Sequence, residues 1–320
     1  MHTKKRIHEH ESPAEKRGFF YATNMKIAIQ GTLGSFHEMA TRNYFRDEIT
    51  LLPCDSFEEL TATLAGHEAD YGCLAIENSL VGSILRNYRL ILENPVKIIG
   101  EEYLRIRQNL LALPGQSLDD IKEVHSHPMA IEQCKEFFRQ HPHITLINSI
   151  DTALSAREIS EKQIHGRGAI GSSLAGDLYQ LDTLASGIET NKENYTRFLI
   201  LSHRNNGSIQ NETINKSSLC FALPHKTGSL SKVLSIIAFY EINLTKIESS
   251  PIMGELWRYH FYADVMFDDY DRYRQCLAAI GPLTVDLQIL GEYKHGADSL
   301  KDIHKINASS KLINNNPTKI

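Results

Sequence analysis

The chain has no basic face. Its 34 lysines and arginines are outnumbered by 39 aspartates and glutamates, for a formal net charge of -5. The only Lys/Arg clusters, "TKKR" and "EKR", fall in the first seventeen residues. A phosphate backbone needs a positive surface, so a nucleic-acid partner is excluded. Long apolar runs are missing too: nothing approaches the roughly eighteen uninterrupted residues of a membrane span. Cysteine is sparse. Cys54, Cys73, Cys134, Cys220 and Cys276 are odd in number, widely spaced and set in apolar surroundings, which fits reduced thiols in a cytoplasm rather than a disulfide framework. The turn Gly31-x-x-Gly34 lacks the G-x-G-x-x-G that lets a backbone approach a pyrophosphate. Near His125-x-His127 and His141-x-His143 no Asp, Glu or Cys completes a recognisable metal-ligand set. No cofactor and no metal are therefore expected. The first 24 residues lack the apolar core of a secretory signal and read as a flexible extension.

What is present is ordered periodicity. At 320 residues, with 42% hydrophobic and 23% charged residues, the chain is long enough for two globular domains. "MKIAIQ" reads as a strand, Gly31–Ser35 as a turn, and "FHEMATRNYF" as a helix. Ser56-Phe57-Glu58-Glu59 opens another helix as a capping box, and the strand "YGCLAI" follows, breaking at Glu77-Asn78-Ser79. "IIGEEYLRIRQNLLAL" could cross between two lobes. "MAIEQCKEFFRQH" reads as one helix after "IKEVHSHP"; Asp151 caps "TALSAREISEK"; "GAIGSSLAGDLYQL" is a further strand, turn and helix. Strands alternating with helices imply an α/β region over 25–202, with ligands at the carboxyl ends of strands. The polar segment 203–217 reads as a linker. From 218 to 295 the order is βαββαβ, the ferredoxin-like arrangement, with Leu230, Val233, Leu234 and Ile237 on one helix face. In that region Trp257, Tyr259, Phe261, Ala263 and Val265 are expected on one side of a strand joined to its predecessor across Met253-Gly254. The tail 296–320 is expected to be disordered.

Several positions carry chemistry. Ser35 at a helix N-terminus could hold a carboxylate. Glu77, Asn78 and Ser79 arrive together at a strand end. His127, before Pro128, is a candidate for a substrate hydrogen bond, and Ser172 lies in the turn of "GAIGSS". Thr196-Arg197 in "NKENYTRFLIL" joins a hydroxyl to a guanidinium fork, although spacing alone also fits a strand-edge threonine beside an exposed arginine.

The motifs "GTLGSF", "AIENSLVGSI", "SHPMAIEQC", "DTALSA", "NYTRF" and "NLTKIESSP", in this order, resemble the bacterial prephenate dehydratases over about Lys26 to Tyr293. The resemblance implies a catalytic region of two lobes, like a type II periplasmic binding protein, followed by an ACT regulatory domain. It implies conversion of prephenate to phenylpyruvate, with loss of water and carbon dioxide, in phenylalanine biosynthesis. Thr196 matches the essential threonine of the family's Thr-Arg-Phe motif, and Asn78 and Ser79 match a substrate-lining motif. "TGSL" (Gly228, Ser229, Leu230) and "ESSP" (Glu248, Ser249), with Asn243 and Leu244, align with the family's effector loops. They make L-phenylalanine the expected effector, in a homodimer or homotetramer. His37 stands where the family usually has serine, and Ser250 where its effector loop usually has arginine.

Under this resemblance Thr196 donates to the departing hydroxyl and Arg197 holds the pyruvyl carboxylate. Glu77 and His127 are the alternative proton sources. An arogenate dehydratase and a non-catalytic small-ligand sensor are the competing expectations.

Overall fold

A computed structural model describes residues 25–46, 48–206 and 214–296. The expected N-terminal extension, the middle of the expected linker and the tail beyond Gly296 lie outside the described residues.

The first sheet is built from β1 (Met25–Gln30), β2 (Ile49–Cys54), β3 (Tyr71–Asn78), β5 (Val96–Arg105) and β11 (Tyr195–His203). Its first three strands are parallel, in the order β2-β1-β3, and β11 then lies antiparallel between β3 and β5. A two-residue strand, β4 (Gly82–Ser83), folds back on β3 as a hairpin. Helix α1 (Phe36–Phe45) covers one face, where Ile29, Ala40, Cys73, Phe198 and Ile200 form a core. Helices α2 (Phe57–Ala65) and α3 (Leu85–Glu93) cover the other, with Leu60, Leu74, Tyr88, Leu199 and Leu201. The β2 strand and α3 were not recognised in the sequence.

The chain leaves this lobe at the end of β5 and enters the second through β6 (Asn109–Ala112). It adds β7 (Glu123–Ser126), α4 (Pro128–Gln133), α5 (Lys135–Arg139), β8 (Thr145–Asn148), α6 (Thr152–Lys162), β9 (Arg167–Gly171), α7 (Ser173–Leu178) and β10 (Asp182–Ser186). The sheet order is β10-β6-β9-β7-β8. Residues 187–194 then carry the chain back to β11. Two crossings thus join the lobes. The single helix expected over "MAIEQCKEFFRQH" is two, because Cys134 leaves the helical range at ψ 4 while its thiol is buried in the core with Phe138.

The C-terminal unit runs β12 (Lys216–Ala222), α8 (Ser229–Phe239), β13 (Asn243–Pro251), β14 (Tyr259–Met266), α9 (Tyr270–Ile280) and β15 (Val285–Tyr293). All pairings in the order β13-β14-β12-β15 are antiparallel, and both helices pack on one core of Leu219, Phe221, Val233, Ala263, Val265 and Tyr273. Trp257 is not on the expected strand face. It lies before β14 in the connecting turn, at φ 61 and 71% exposed, because Ile252 N–H pairs with Arg258 C=O and closes the hairpin further out.

The linker does not separate this unit from the first lobe. β15 meets β5 at Gly291 and Ile98, so the two sheets run on as one ten-stranded sheet. The approach requires glycine: a Cβ at Gly291 would sit 2.2 Å from the Ile98 carbonyl oxygen. Gly291→Ala is therefore expected to part the sheets and to cost about 1–3 kcal/mol, read as a lower denaturant midpoint.

Candidate functional site

Thr196 lies on β11 facing the α1 side of the sheet with Phe198 and Ile200, and it is 8% exposed. Opposite it on β3 is Asn78. Simple alternation would have sent Asn78 to the other face. The ladder shifts between Arg197 and Phe198, where Glu77 pairs with Arg197 and Ala75 with Phe198, leaving Ile76 as the extra residue. This bulge inverts the alternation and brings Asn78 onto Thr196.

The orientation of the Asn78 amide is determined by backbone. Its Oδ1 accepts from the N–H groups of Leu80 (3.0 Å) and Val81 (3.2 Å), so Nδ2 must point the other way. Nδ2 donates to Thr196 Oγ1 at 3.0 Å and to Asn194 Oδ1 at 2.8 Å. Asn194 Nδ2 donates onward to Gln133 Oε1 at 3.0 Å, on the second lobe, and Gln108 Nε2 reaches the same oxygen at 3.2 Å. A polarised file of amides therefore runs from Thr196 across the crossings into α4. An amide N–H can only donate, so Thr196 Oγ1 accepts, and its own hydrogen remains free to be donated elsewhere.

Around this file the lobes meet directly. Thr32 Oγ1 donates to Asp151 Oδ1 (3.0 Å), Ser172 Oγ to Gly34 C=O (2.6 Å) and Tyr179 Oη to Leu33 C=O (2.8 Å). Gly34, at φ 87, fits because a side chain there would reach the Ala175 backbone at 3.0 Å. His37 packs edge-on against Phe198 and accepts from Ala75 N–H at 3.4 Å; burial pushes its imidazole down to about 4, so it stays neutral.

Other expected site residues are engaged differently. Arg197, the next residue on β11, faces away from Thr196 because successive strand side chains alternate. Its Nε donates to Glu101 Oε2 at 2.7 Å, its Nη1 to Asp264 and its Nη2 to Tyr293 Oη at 3.0 Å. The guanidinium is 5% exposed and sealed between the first lobe and the C-terminal unit. The expected carboxylate clamp at Arg197 is thus corrected: its fork is filled by the protein's own carboxylates. Glu77 shares that face, 3.8 Å from Arg197 and 3.2 Å from Lys246, and is not beside Thr196 as a proton source. The N-terminus of α1 already holds a carboxylate, since Gly34 N–H donates to Glu38 Oε2 at 2.7 Å and Ser35 Oγ accepts from Glu38 N–H at 3.3 Å. Ser35 is a helix cap there, and Ser172 caps α7 in the same way. Ser79 ties β3 to the returning crossing, donating to Glu193 C=O (2.8 Å) and accepting from Tyr195 N–H (2.9 Å). His127 is exposed at the carboxyl end of β7. Its Nδ1 accepts from Met129 N–H at 3.2 Å, so in the neutral ring the proton sits on Nε2 and can be given to a ligand.

The carboxylates around Arg197 form one buried network. Glu101 also accepts from Lys216 Nζ at 2.8 and 2.9 Å, and Asp264 Oδ1 from Ser218 Oγ at 2.6 Å. Burial pushes the Glu101 and Asp264 carboxyls up, but the Arg197 and Lys216 charges outweigh it and both end below the usual range. Burial and the neighbouring Arg197 push the Lys216 ammonium down despite its pairing with Glu101. Sequence reasoning missed Glu101, Asp264, Lys216, Asn194 and Gln133. The one available signal was the placing of charged residues inside apolar strand patterns, at Glu101 in "IIGEEYL" and Asp264 in "FYADVMF".

Of the expected effector residues, Gly228 precedes α8 at φ 77 and offers no side chain to cap the first N–H groups of Ser229 and Leu230. Asn243, Leu244, Glu248 and Ser249 lie on β13, the strand at the end of the sheet. Among the described residues, no group of three His, Cys, Asp or Glu could hold a metal, and no helix is long and apolar enough to cross a membrane.

The chain is 34% identical to arogenate dehydratase 5 of Arabidopsis thaliana, over 88% of this chain and 69% of that protein. Among solved structures it is similar to a prephenate dehydratase from Arthrobacter aurescens in complex with L-Phe. There the identity is 26% and the TM-score 0.76, over 89% of this chain and 98% of that one. A quorum-quenching acylase, GqqA, is similar at 29% identity and TM-score 0.76, over 84% of this chain and 98% of that one. The model of the family described as prephenate dehydratase matches residues 27–206. With two lobes meeting over a buried threonine whose hydrogen is free, the chain belongs to the prephenate dehydratase family.

Proposed function

We propose that the protein is a lyase that converts prephenate to phenylpyruvate with loss of water and carbon dioxide. The observation that carries this is the Asn78 amide on Thr196 Oγ1, which leaves the threonine hydrogen to be given to the departing ring hydroxyl. Aromatisation drives the reaction, so the site needs to fix the substrate, assist the leaving group and leave the departing carboxylate unstabilised. Turning Arg197 away from the cleft is consistent with the last requirement, since a guanidinium on that carboxylate would oppose its loss. A threonine hydroxyl is too weak an acid to transfer a full proton unaided, so Thr196 acts as a hydrogen-bond donor. His127 Nε2–H is a further candidate donor for the substrate among the expected residues.

The acylase reading has less support. A threonine nucleophile needs a base within reach, and the side-chain partner of Thr196 is an amide that takes no proton. The arogenate dehydratase similarity supports a second substrate with an amino group in place of the keto oxygen. Rates measured on both substrates decide between them.

The regions 25–202 and 218–295 are proposed as the catalytic and ACT regulatory domains, in a cytoplasmic homodimer or homotetramer. L-phenylalanine, bound by the relative from Arthrobacter aurescens, is proposed as the effector, held at the start of α8 and by β13.

Asn78→Asp tests the carrying observation. A carboxylate there would accept the Thr196 hydrogen and withdraw it from the substrate. The expected result is a fall in kcat of about a hundredfold, as for the loss of one positioned donor. Undiminished turnover of prephenate would reject the assigned role.

A further inference from the structure

The face of the first sheet opposite Thr196 is gripped by β13 through one lysine. Lys246 Nζ lies 3.2 Å from Glu77 Oε1 and 3.7 Å from Glu248 Oε1, and it donates to Ser83 Oγ. Ser83 Oγ in turn donates to Glu248 Oε1 at 2.8 Å. The lysine side chain is 9% exposed, and its ammonium stands 5.9 Å from the centroid of the Tyr88 ring. A single solvated ion pair would contribute little, and the Glu77 and Glu248 carboxylates are still partly open to water, but the ammonium itself is shielded and shared among three oxygen-bearing side chains.

The place of these contacts gives them a consequence. Glu77 and Ser83 face each other across the β3–β4 hairpin, and Asn78 pairs with Gly82 in the next rung. The turn closes with the N–H groups of Leu80 and Val81 on Asn78 Oδ1, the same bonds that aim Nδ2 at Thr196. Lys246 therefore holds both arms of the hairpin whose turn orients the Thr196 hydroxyl. Without it, Glu77 would keep only Arg197, at 3.8 Å, and the hairpin only the Ser83 bond to Glu248, while the two carboxylates would face each other without the cation they share; the hairpin would then loosen on β13.

We propose that Lys246 is a positioning residue for the reaction, through which β13 of the C-terminal unit sets the alignment of Asn78 and the Thr196 hydroxyl. This rests on the dehydratase reading and gives it a route of regulation. Glu248, inside the clasp, belongs to the proposed effector loop, so an event on β13 reaches the reacting centre through three side chains.

The test uses the full chain. Lys246→Met is expected to lower kcat on prephenate by about tenfold with KM changed less than about twofold, the signature of a misaligned group rather than a lost binding contact. Lys246→Arg, which keeps the charge and the reach, restores most of the rate. Ser83→Ala, which removes the bridging hydroxyl, shifts kcat in the same direction by less. Hydrogen exchange gives an independent readout: the Leu80 and Val81 amides are expected to exchange faster in Lys246→Met while the core strands keep their protection. Unchanged kcat in Lys246→Met, or unchanged exchange at these two amides, overturns the proposal. A wild-type chain that turns over neither prephenate nor arogenate would instead remove the dehydratase reading, and the exchange rates would then decide the clasp alone.

Discussion

Thr196→Val is expected to lower kcat by about two to three orders of magnitude, while Thr196→Ser keeps the rate within roughly tenfold of the wild type. The two variants separate hydroxyl from shape. Valine matches threonine in volume and leaves the β11 ladder intact, but it removes both the donor to the leaving group and the acceptor for Asn78 Nδ2. Serine keeps both functions and loses only the methyl group that restricts the rotamer. Because the other hydrogen of Asn78 Nδ2 remains on Asn194, the file stays anchored and KM is expected to change much less than kcat. Steady-state kinetics on prephenate check this. A Thr196→Val protein with near wild-type kcat would end the donor role.

The second large effect concerns stability. Asp264→Ala is expected to destabilise the protein by about 3–5 kcal/mol, because it leaves Arg197 and Lys216 against one buried carboxylate instead of two. Asp264→Asn keeps the shape but loses the charge, and it should lie between. Denaturant midpoints read both. The network also gives stability a pH dependence of definite sign. Glu101 and Asp264 have folded pKa values below their usual ones, so the folded state binds these protons less readily than the unfolded chain. Their contribution is fully present above the unfolded carboxylate range, near pH 4, and is lost as pH falls through the folded values. Asp264→Asn should flatten part of that acid slope. Identical acid unfolding curves for the two proteins would show that the network contributes nothing of the kind.

Much of the architecture was legible in the amino-acid pattern. The βαββαβ order of the C-terminal unit follows from period-two strands and from a helix face carrying Leu230, Val233, Leu234 and Ile237, since burial of one face imposes those periods. The caps Ser56 and Asp151 were legible because their side chains act on N–H groups three residues away. Local rules fail where a partner is distant. Arg197 reads as a ligand fork because nothing near it in the chain neutralises it, yet Asp264 lies 67 residues further on and Glu101 lies 96 residues before it. Strand alternation alone puts Thr196 and Arg197 on opposite faces of β11, so the two cannot share one cleft.

By itself the sequence determined most of the strands and helices, β2 and α3 excepted, and which residues could donate or accept. Only the tertiary structure decided that the Thr196 and Asn78 side chains meet. That depended on a one-residue bulge at Ile76, which no periodicity encodes and which flips every side chain beyond it to the other face. The tertiary structure also decided that Arg197 belongs to a buried network rather than to the cleft. The identity of a charged group's partner is set by which strands pack together, and the bridge between Gly291 and Ile98 brings the C-terminal sheet against β5 and closes that network over the guanidinium.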